Sequence, residues 1–121
     1  MSLFPRLRTS RQVAGSEAED FALAYLQRNG LQLVERNFLC RGGELDLVMI
    51  DGTTLVFVEV RKRSNRQFGG AAASVTPAKQ QRLVRAAQQF LQRYREPPAC
   101  RFDVIAIDGD ALEWLKNVME V

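Results

Sequence analysis

The residues able to do chemistry gather around one dipeptide. Glu44, Asp46, Glu59 and Arg61 flank Asp51-Gly52, a hairpin signal whose type I′ turn needs positive φ at both central residues. A two-residue loop there pairs Ile50 with Thr53, Val48 with Leu55, Asp46 with Phe57 and Glu44 with Glu59. Residues two apart share a strand face, so Glu44, Asp46, Val48, Ile50, Leu55, Phe57, Glu59 and Arg61 fall on one side. Leu45, Leu47, Met49, Val56, Val58 and Val60 form the other, which is wholly apolar. Asp46 and Glu59 become diagonal neighbours with Cα atoms roughly 7–8 Å apart, and their carboxylates can converge. A three-residue loop would shift the register by one and part them.

Carboxylates held together on a mostly apolar strand pair repel one another, and burial raises the cost of ionising them. A hard divalent cation would compensate, since Mg²⁺ commonly takes one or two protein carboxylates plus waters and phosphate oxygens. The alternative is direct neutralisation by Arg61, Arg41 or Arg36. The chain has no histidine, which removes Ser-His and Cys-His catalysis and every imidazole base. Cys40 and Cys100 belong to no CxxC pair, so neither a zinc site nor a disulfide is expected. Hydrolysis would have to use carboxylates, Lys or Arg, and a metal such as Mg²⁺ or Mn²⁺.

Charge is unevenly spread. Between Val60 and Arg95 stand nine Lys or Arg residues and no Asp or Glu, while the remainder of the chain is net acidic. A basic middle in an acidic protein points to a polyanionic partner; the plainer reading is a solvated helix exterior. Arg82, Arg85 and Gln89 lie opposite the Leu83–Phe90–Tyr94 stripe of a helix and suit phosphate-backbone contacts. Lys79 and Gln80 in its first turn can lean back toward the acidic cluster, where helix N-terminal N–H groups add anion affinity. Lys62, Arg63 and Arg66 extend the basic track.

The elements that must position these residues are legible. Ser16 to Asn29 carries Ala18, Phe21, Ala22, Tyr25 and Leu26 at helical spacing, with Gly30 as C-terminal cap; the helix starts either there or at Ser10. Leu31 to Phe38 is a predicted strand, Arg41-Gly42-Gly43 a turn, and Glu44 to Ile50 and Thr53 to Arg61 the clearest strands. Thr76 caps a helix opened by Pro77 and stopped by Glu96-Pro97-Pro98. Arg101 to Ile107 is a strand, Asp108-Gly109-Asp110 a turn, and Ala111 to Leu115 an edge strand. Asp103 reads as structural, bonded to Arg101 or a loop amide, and Trp114 as packing.

Arg41-Gly42-Gly43-Glu44-Leu45-Asp46-Leu47-Val48 and Leu55-Val56-Phe57-Val58-Glu59-Val60-Arg61 closely resemble the YraN-like uncharacterised protein family. Phe68-Gly69, Val75-Thr76-Pro77-Ala78-Lys79-Gln80 and Arg101-Phe102-Asp103-Val104-Ile105-Ala106 extend the likeness from about Ser16 to Ile107. That family resembles the restriction-endonuclease superfamily and, in its core, the archaeal Holliday-junction resolvases. The resemblance implies Asp46 and Glu59 as metal ligands with the Val60 carbonyl as a third, Glu19 as a first-helix acid, and metal-activated water attacking a phosphodiester. Ser16-Glu17-Ala18-Glu19 is also a capping box, in which Glu19 would instead reach the Ser16 N–H. Ala18 stands where the family usually has Gly. Arg61 stands where the superfamily normally has Lys; Arg keeps the charge and can clamp a phosphate but is never deprotonated.

The expectation is therefore one domain over residues 1–121, with residues 1–15 a flexible or partly helical lead, of α/β restriction-endonuclease-like fold. A mixed central sheet is flanked by helices on both faces in the order αβββαβ(β). The expected function is a Mg²⁺-dependent endonuclease or nuclease-related protein acting on structured DNA. The rivals are a non-catalytic nucleic-acid-binding module and an interaction protein with a structural acidic cluster. No apolar run approaches the ~20 residues that span a bilayer, and the opening segment lacks the apolar core of a signal peptide, so the cytoplasm is the default. A homodimer would follow from resolvase-like engagement of two strands.

Overall fold

A computed structural model describes residues 10–62 and 75–119, with side chains from residue 16 onward; Arg63, Arg66 and the Phe68-Gly69 motif lie outside them. The order is α1 (Ser10–Arg28), β1 (Gln32–Cys40), β2 (Gly43–Asp51), β3 (Thr54–Lys62), α2 (Pro77–Leu91), β4 (Cys100–Asp108) and β5 (Ala111–Met119). The strands form one sheet in sequence order. All neighbours are antiparallel except β3 and β4, which run parallel. A parallel pair needs a crossover, and α2 is that crossover. Among the described residues no helix is long and apolar enough to cross a membrane.

The two helices cover opposite faces of the sheet, as its doubly apolar central strands require. On one side Ala18, Ala22 and Leu26 of α1 pack on Leu47, Met49, Val56, Val58, Ile105 and Ile107. On the other Leu83, Ala86, Ala87 and Phe90 of α2 meet Val48, Leu55, Phe57, Phe102 and Val104. The Phe90 ring sits edge-on to both Phe38 and Phe57. Thr76 caps α2 through the Lys79 N–H, with Pro77 opening the helix as its spacing predicts. The helix ends at Leu91, ahead of the two prolines, so Tyr94 lies past it.

Three expectations need correction. The β2–β3 loop is Gly52-Thr53, with Asp51 paired to Thr54, so the register differs by two from the predicted one. Gly52 takes φ +62° and Asp51 does not take positive φ. That is the pattern of a II′ turn, in which only the first central residue needs the left-handed region and glycine occupies it without a Cβ clash. Because the shift is even, Asp46 and Glu59 keep the relative parity that the predicted pairing gave them.

The second correction concerns faces. Leu45 belongs to the α2-side core with Val48, not to the α1 side with Leu47 and Met49. Asn37, with φ +53°, breaks the alternation of β1 at the position across from Asp46. Strand alternation therefore turns over at Asn37 and Asp46 together. Third, α1 starts at Ser10, so Ser16 lies inside the helix and cannot be an N-cap. The capping-box reading of Glu19 falls with it.

Candidate functional site

Two central strands part where the acids stand. The β2–β3 ladder runs to Leu47 and Val58; one step further, the same register sets Asp46 directly across from Glu59, rather than diagonally. No ladder pair forms there. Instead the Val60 N–H donates to Asp46 Oδ2 at 2.8 Å. The N–H and C=O of one residue in an extended strand point to the same side, so the Val60 carbonyl faces this gap as well.

Glu59 is 5% exposed although it carries a carboxyl group. Its Oε1 lies 3.3 Å from Lys79 Nζ and 3.4 Å from Arg61 Nε. Its Oε2 is buried with no hydrogen-bond partner among the described residues. Burial, reinforced by the negative charge of Asp46, pushes the Glu59 carboxyl up to about 7, with Lys79 and Arg61 opposing. Asp46 is raised too, by burial, against the Val60 N–H and Lys79. Two carboxyl groups in one dry site cannot both ionise cheaply, so each opposes the ionisation of the other.

Two further acids border the pair. Glu19 projects from α1, 3.5 Å from Arg36; burial and the charge of Asp46 raise it, while Arg36 and Asn37 lower it. Arg36 also holds Asp20 at 2.8 Å. Glu44 pairs with Leu39 of β1; burial and Asp46 raise it, and Lys79 opposes. Asp46 is thus the charge common to Glu19, Glu44 and Glu59, reached from both helices.

The predicted cationic residues divide. Lys79 enters the site. Gln80 does not: its side-chain amide donates to the Val75 carbonyl at 3.0 Å, tying down the approach to α2. Arg82 and Arg85 are exposed on the outward side of α2, above the β1–β2 turn. A Cβ on Gly43 would meet the Arg82 carbonyl oxygen at 2.7 Å, so that glycine is required by helix packing. Lys62 is exposed on the α1 side, near Glu17 and Phe21, opposite to Arg61. Asp103 is fully buried and accepts hydrogen bonds from Arg101 (3.1 Å), Trp114 Nε1 (2.9 Å) and the Asn117 N–H (2.9 Å), so it is structural.

Asn37 is the site residue that pattern reading missed. Its signal is available: asparagine is depleted in strands and enriched at positive φ, and here it stands in the middle of one.

Among the described residues no group of three or more His, Cys, Asp or Glu side chains is arranged to hold a metal ion. The chemistry on offer is instead two facing carboxyl groups, one bare buried oxygen and two cations. This suits an ion that keeps most of its ligands from water or substrate, as Mg²⁺ does, and not a closed protein cage.

The residues that build this arrangement lie within a stretch shared with other proteins. The sequence profile of the uncharacterised protein family UPF0102 matches residues 18–107. A UPF0102 protein of Herminiimonas arsenicoxydans is 67% identical over 115 residues, covering 95% of this chain and 93% of that protein. One from Janthinobacterium sp. (strain Marseille) is 63% identical over 117 residues, covering 97% and 95%. Another, from Cupriavidus taiwanensis, is 59% identical over 113 residues, covering 92% and 86%. Glu19, Asp46, Glu59 and Lys79 all fall inside the matched region, and the chain belongs to the UPF0102 family.

Proposed function

We propose that the gap between β2 and β3 is a divalent-cation-dependent phosphodiesterase site acting on structured DNA. The observation that carries this reading is the facing pair Asp46 and Glu59, with Glu59 Oε2 buried and without a hydrogen-bond partner among the described residues. A protein rarely leaves a buried carboxylate oxygen without a partner. Asp46, Glu59 and the Val60 carbonyl would hold Mg²⁺ or Mn²⁺. When bound, such a cation supplies charge neutralisation at the scissile phosphate and a lowered pKa for an attacking water.

The chain's own groups do the rest. Asp46 is oriented by the Val60 N–H. Lys79 and Arg61 hold Glu59 Oε1 and are within reach of a phosphate brought to it. Arg61 can grip phosphate oxygens bidentately. Lys79 contributes the compact ammonium that position 61 lacks. Glu19, freed from a capping role, borders Asp46 from the opposite face.

One observation favours a second reading, a non-catalytic nucleic-acid-binding module: Glu59 Oε1 is already neutralised by two cations without any metal. A nuclease panel separates the two. Branched, single-stranded and duplex DNA are incubated with Mg²⁺ or Mn²⁺ and wild type or Asp46→Asn. Cutting by wild type that Asp46→Asn abolishes supports the site. No cutting by wild type, with cutting gained in Arg61→Lys, establishes the binding module. Calorimetric cation binding that Asp46→Asn abolishes removes the remaining alternative, a purely structural ion-pair cluster.

A further inference from the structure

A polar cleft of about 360 Å³ lies between the β1–β2 turn and the outward side of α2. Arg41, Gly42, Arg85, Gln88, Gln89 and Gln92 line it, and among the described residues no acidic side chain does. The two arginines come from elements far apart in sequence. They are brought together because the turn carries glycine where the helix passes: a Cβ on Gly42 would stand 3.0 Å from Arg85 Cβ. Arg85 is six residues beyond Lys79 on the same helix, about 9 Å along its axis.

We propose that this cleft grips the phosphodiester backbone of the DNA strand whose phosphate lies at Glu59. It rests on the reading of that site given above and adds a fixed path for the strand. Two guanidinium groups lining one cleft attract phosphate, and a bidentate fork matches its oxygens. Three glutamine amides supply donors and acceptors for sugar and phosphate oxygens without selecting a base. The cleft therefore contributes affinity and direction, not sequence preference.

The test is fluorescence anisotropy of a labelled branched DNA with full-length protein in EDTA, across a salt series. Arg41→Ala/Arg85→Ala is expected to weaken binding about 10–100-fold and to flatten the log–log salt slope by about 1.4–1.8, the equivalent of two phosphate contacts. Arg41→Lys/Arg85→Lys, which keeps both charges, should retain the slope and shows that any loss is not misfolding. Arg28→Ala/Lys116→Ala removes the same charge elsewhere and should leave affinity within about twofold. Unchanged affinity and slope in Arg41→Ala/Arg85→Ala overturns the proposal, as does an equal loss in the Arg28→Ala/Lys116→Ala control. Wild type that binds through the cleft yet cuts nothing with Mg²⁺ keeps this inference and removes the catalytic reading. Wild type that cuts while Arg41→Ala/Arg85→Ala binds normally does the reverse.

Discussion

Lys79 Nζ lies 3.3 Å from Glu59 Oε1, which makes the first turn of α2 part of the acidic cluster carried by β2 and β3. Thr76 and Pro77 fix where that turn begins, and the placement of the ammonium follows from the cap. Lys79→Met should lift the Glu59 carboxyl further above about 7, since it removes an opposing charge. The loss of stability should be small at pH 5, where Glu59 is protonated with or without Lys79. At pH 8.5 it should reach about 1–2 kcal/mol, because a buried carboxylate loses a charged partner. Carboxyl ¹³C titration and urea unfolding at the two pH values check both parts; an equal loss at pH 5 and 8.5 would contradict the pairing.

Glu59 itself gives stability an unusual pH dependence. Its folded value is about 7, against 4.5 for the ordinary group. The native state therefore binds the proton more tightly than the unfolded chain does. Its contribution is fully present below pH 4.5 and is lost as pH rises through 7. Glu59→Gln should remove this dependence, and the stability gap between variant and wild type should shift in the variant's favour by on the order of 2–3 kcal/mol from pH 5 to pH 8.5. Denaturant midpoints across that range provide the measurement, and a gap that does not move with pH would sink the assignment.

Much of the fold and part of the cluster are legible in the sequence. Thr76-Pro77, Gly30, and the apolar stripes located the elements because caps and periodicity are local properties. The pairing of Asp46 with Glu59 across β2 and β3 is close to legible because the register error is an even two, although the break in alternation at Asp46 is not. The face of Leu45 is not legible for the converse reason: one left-handed residue, Asn37, stands on the neighbouring strand where the alternation turns over. Lys79 could be aimed at the acids from its place in the first turn, but the diversion of Gln80 to the Val75 carbonyl depends on the segment before the helix. Gly42 and Gly43 looked like turn residues, and only the passage of α2 over them reveals a packing requirement.

Gly43 provides a direct probe of that packing. An added Cβ would stand 2.7 Å from the Arg82 carbonyl oxygen, a backbone atom that cannot swing aside. Gly43→Ala should cost about 1–3 kcal/mol, as overpacking does. It should also displace α2 and so weaken the Lys79–Glu59 contact. Thermal unfolding measures the first effect, and the carboxyl titration of Glu59 the second: its value should rise as in Lys79→Met. A destabilised variant with an unshifted Glu59 would show that the helix yields elsewhere.

Asp103 sits at the far side of the sheet's centre and has a purely architectural task. Its carboxylate collects Arg101, the Trp114 indole N–H and the Asn117 backbone N–H, while Arg101 also reaches Asp51 at 3.2 Å. Asn117, at φ +54°, lies beside the irregularity between Phe102 and Val104, so the β4–β5 pairing is organised around this one carboxylate. Asp103→Ala leaves an indole and a backbone donor unpaired and Arg101 with Asp51 alone, and should cost about 3–5 kcal/mol. Asp103→Asn keeps an acceptor for one donor and should recover about 1 kcal/mol of that loss. Denaturant unfolding followed by Trp114 fluorescence reports both, since the only tryptophan lies inside the network. Equal losses for Ala and Asn would mean that charge alone matters there, and a loss below 1 kcal/mol in Asp103→Ala would show that β5 does not depend on the carboxylate.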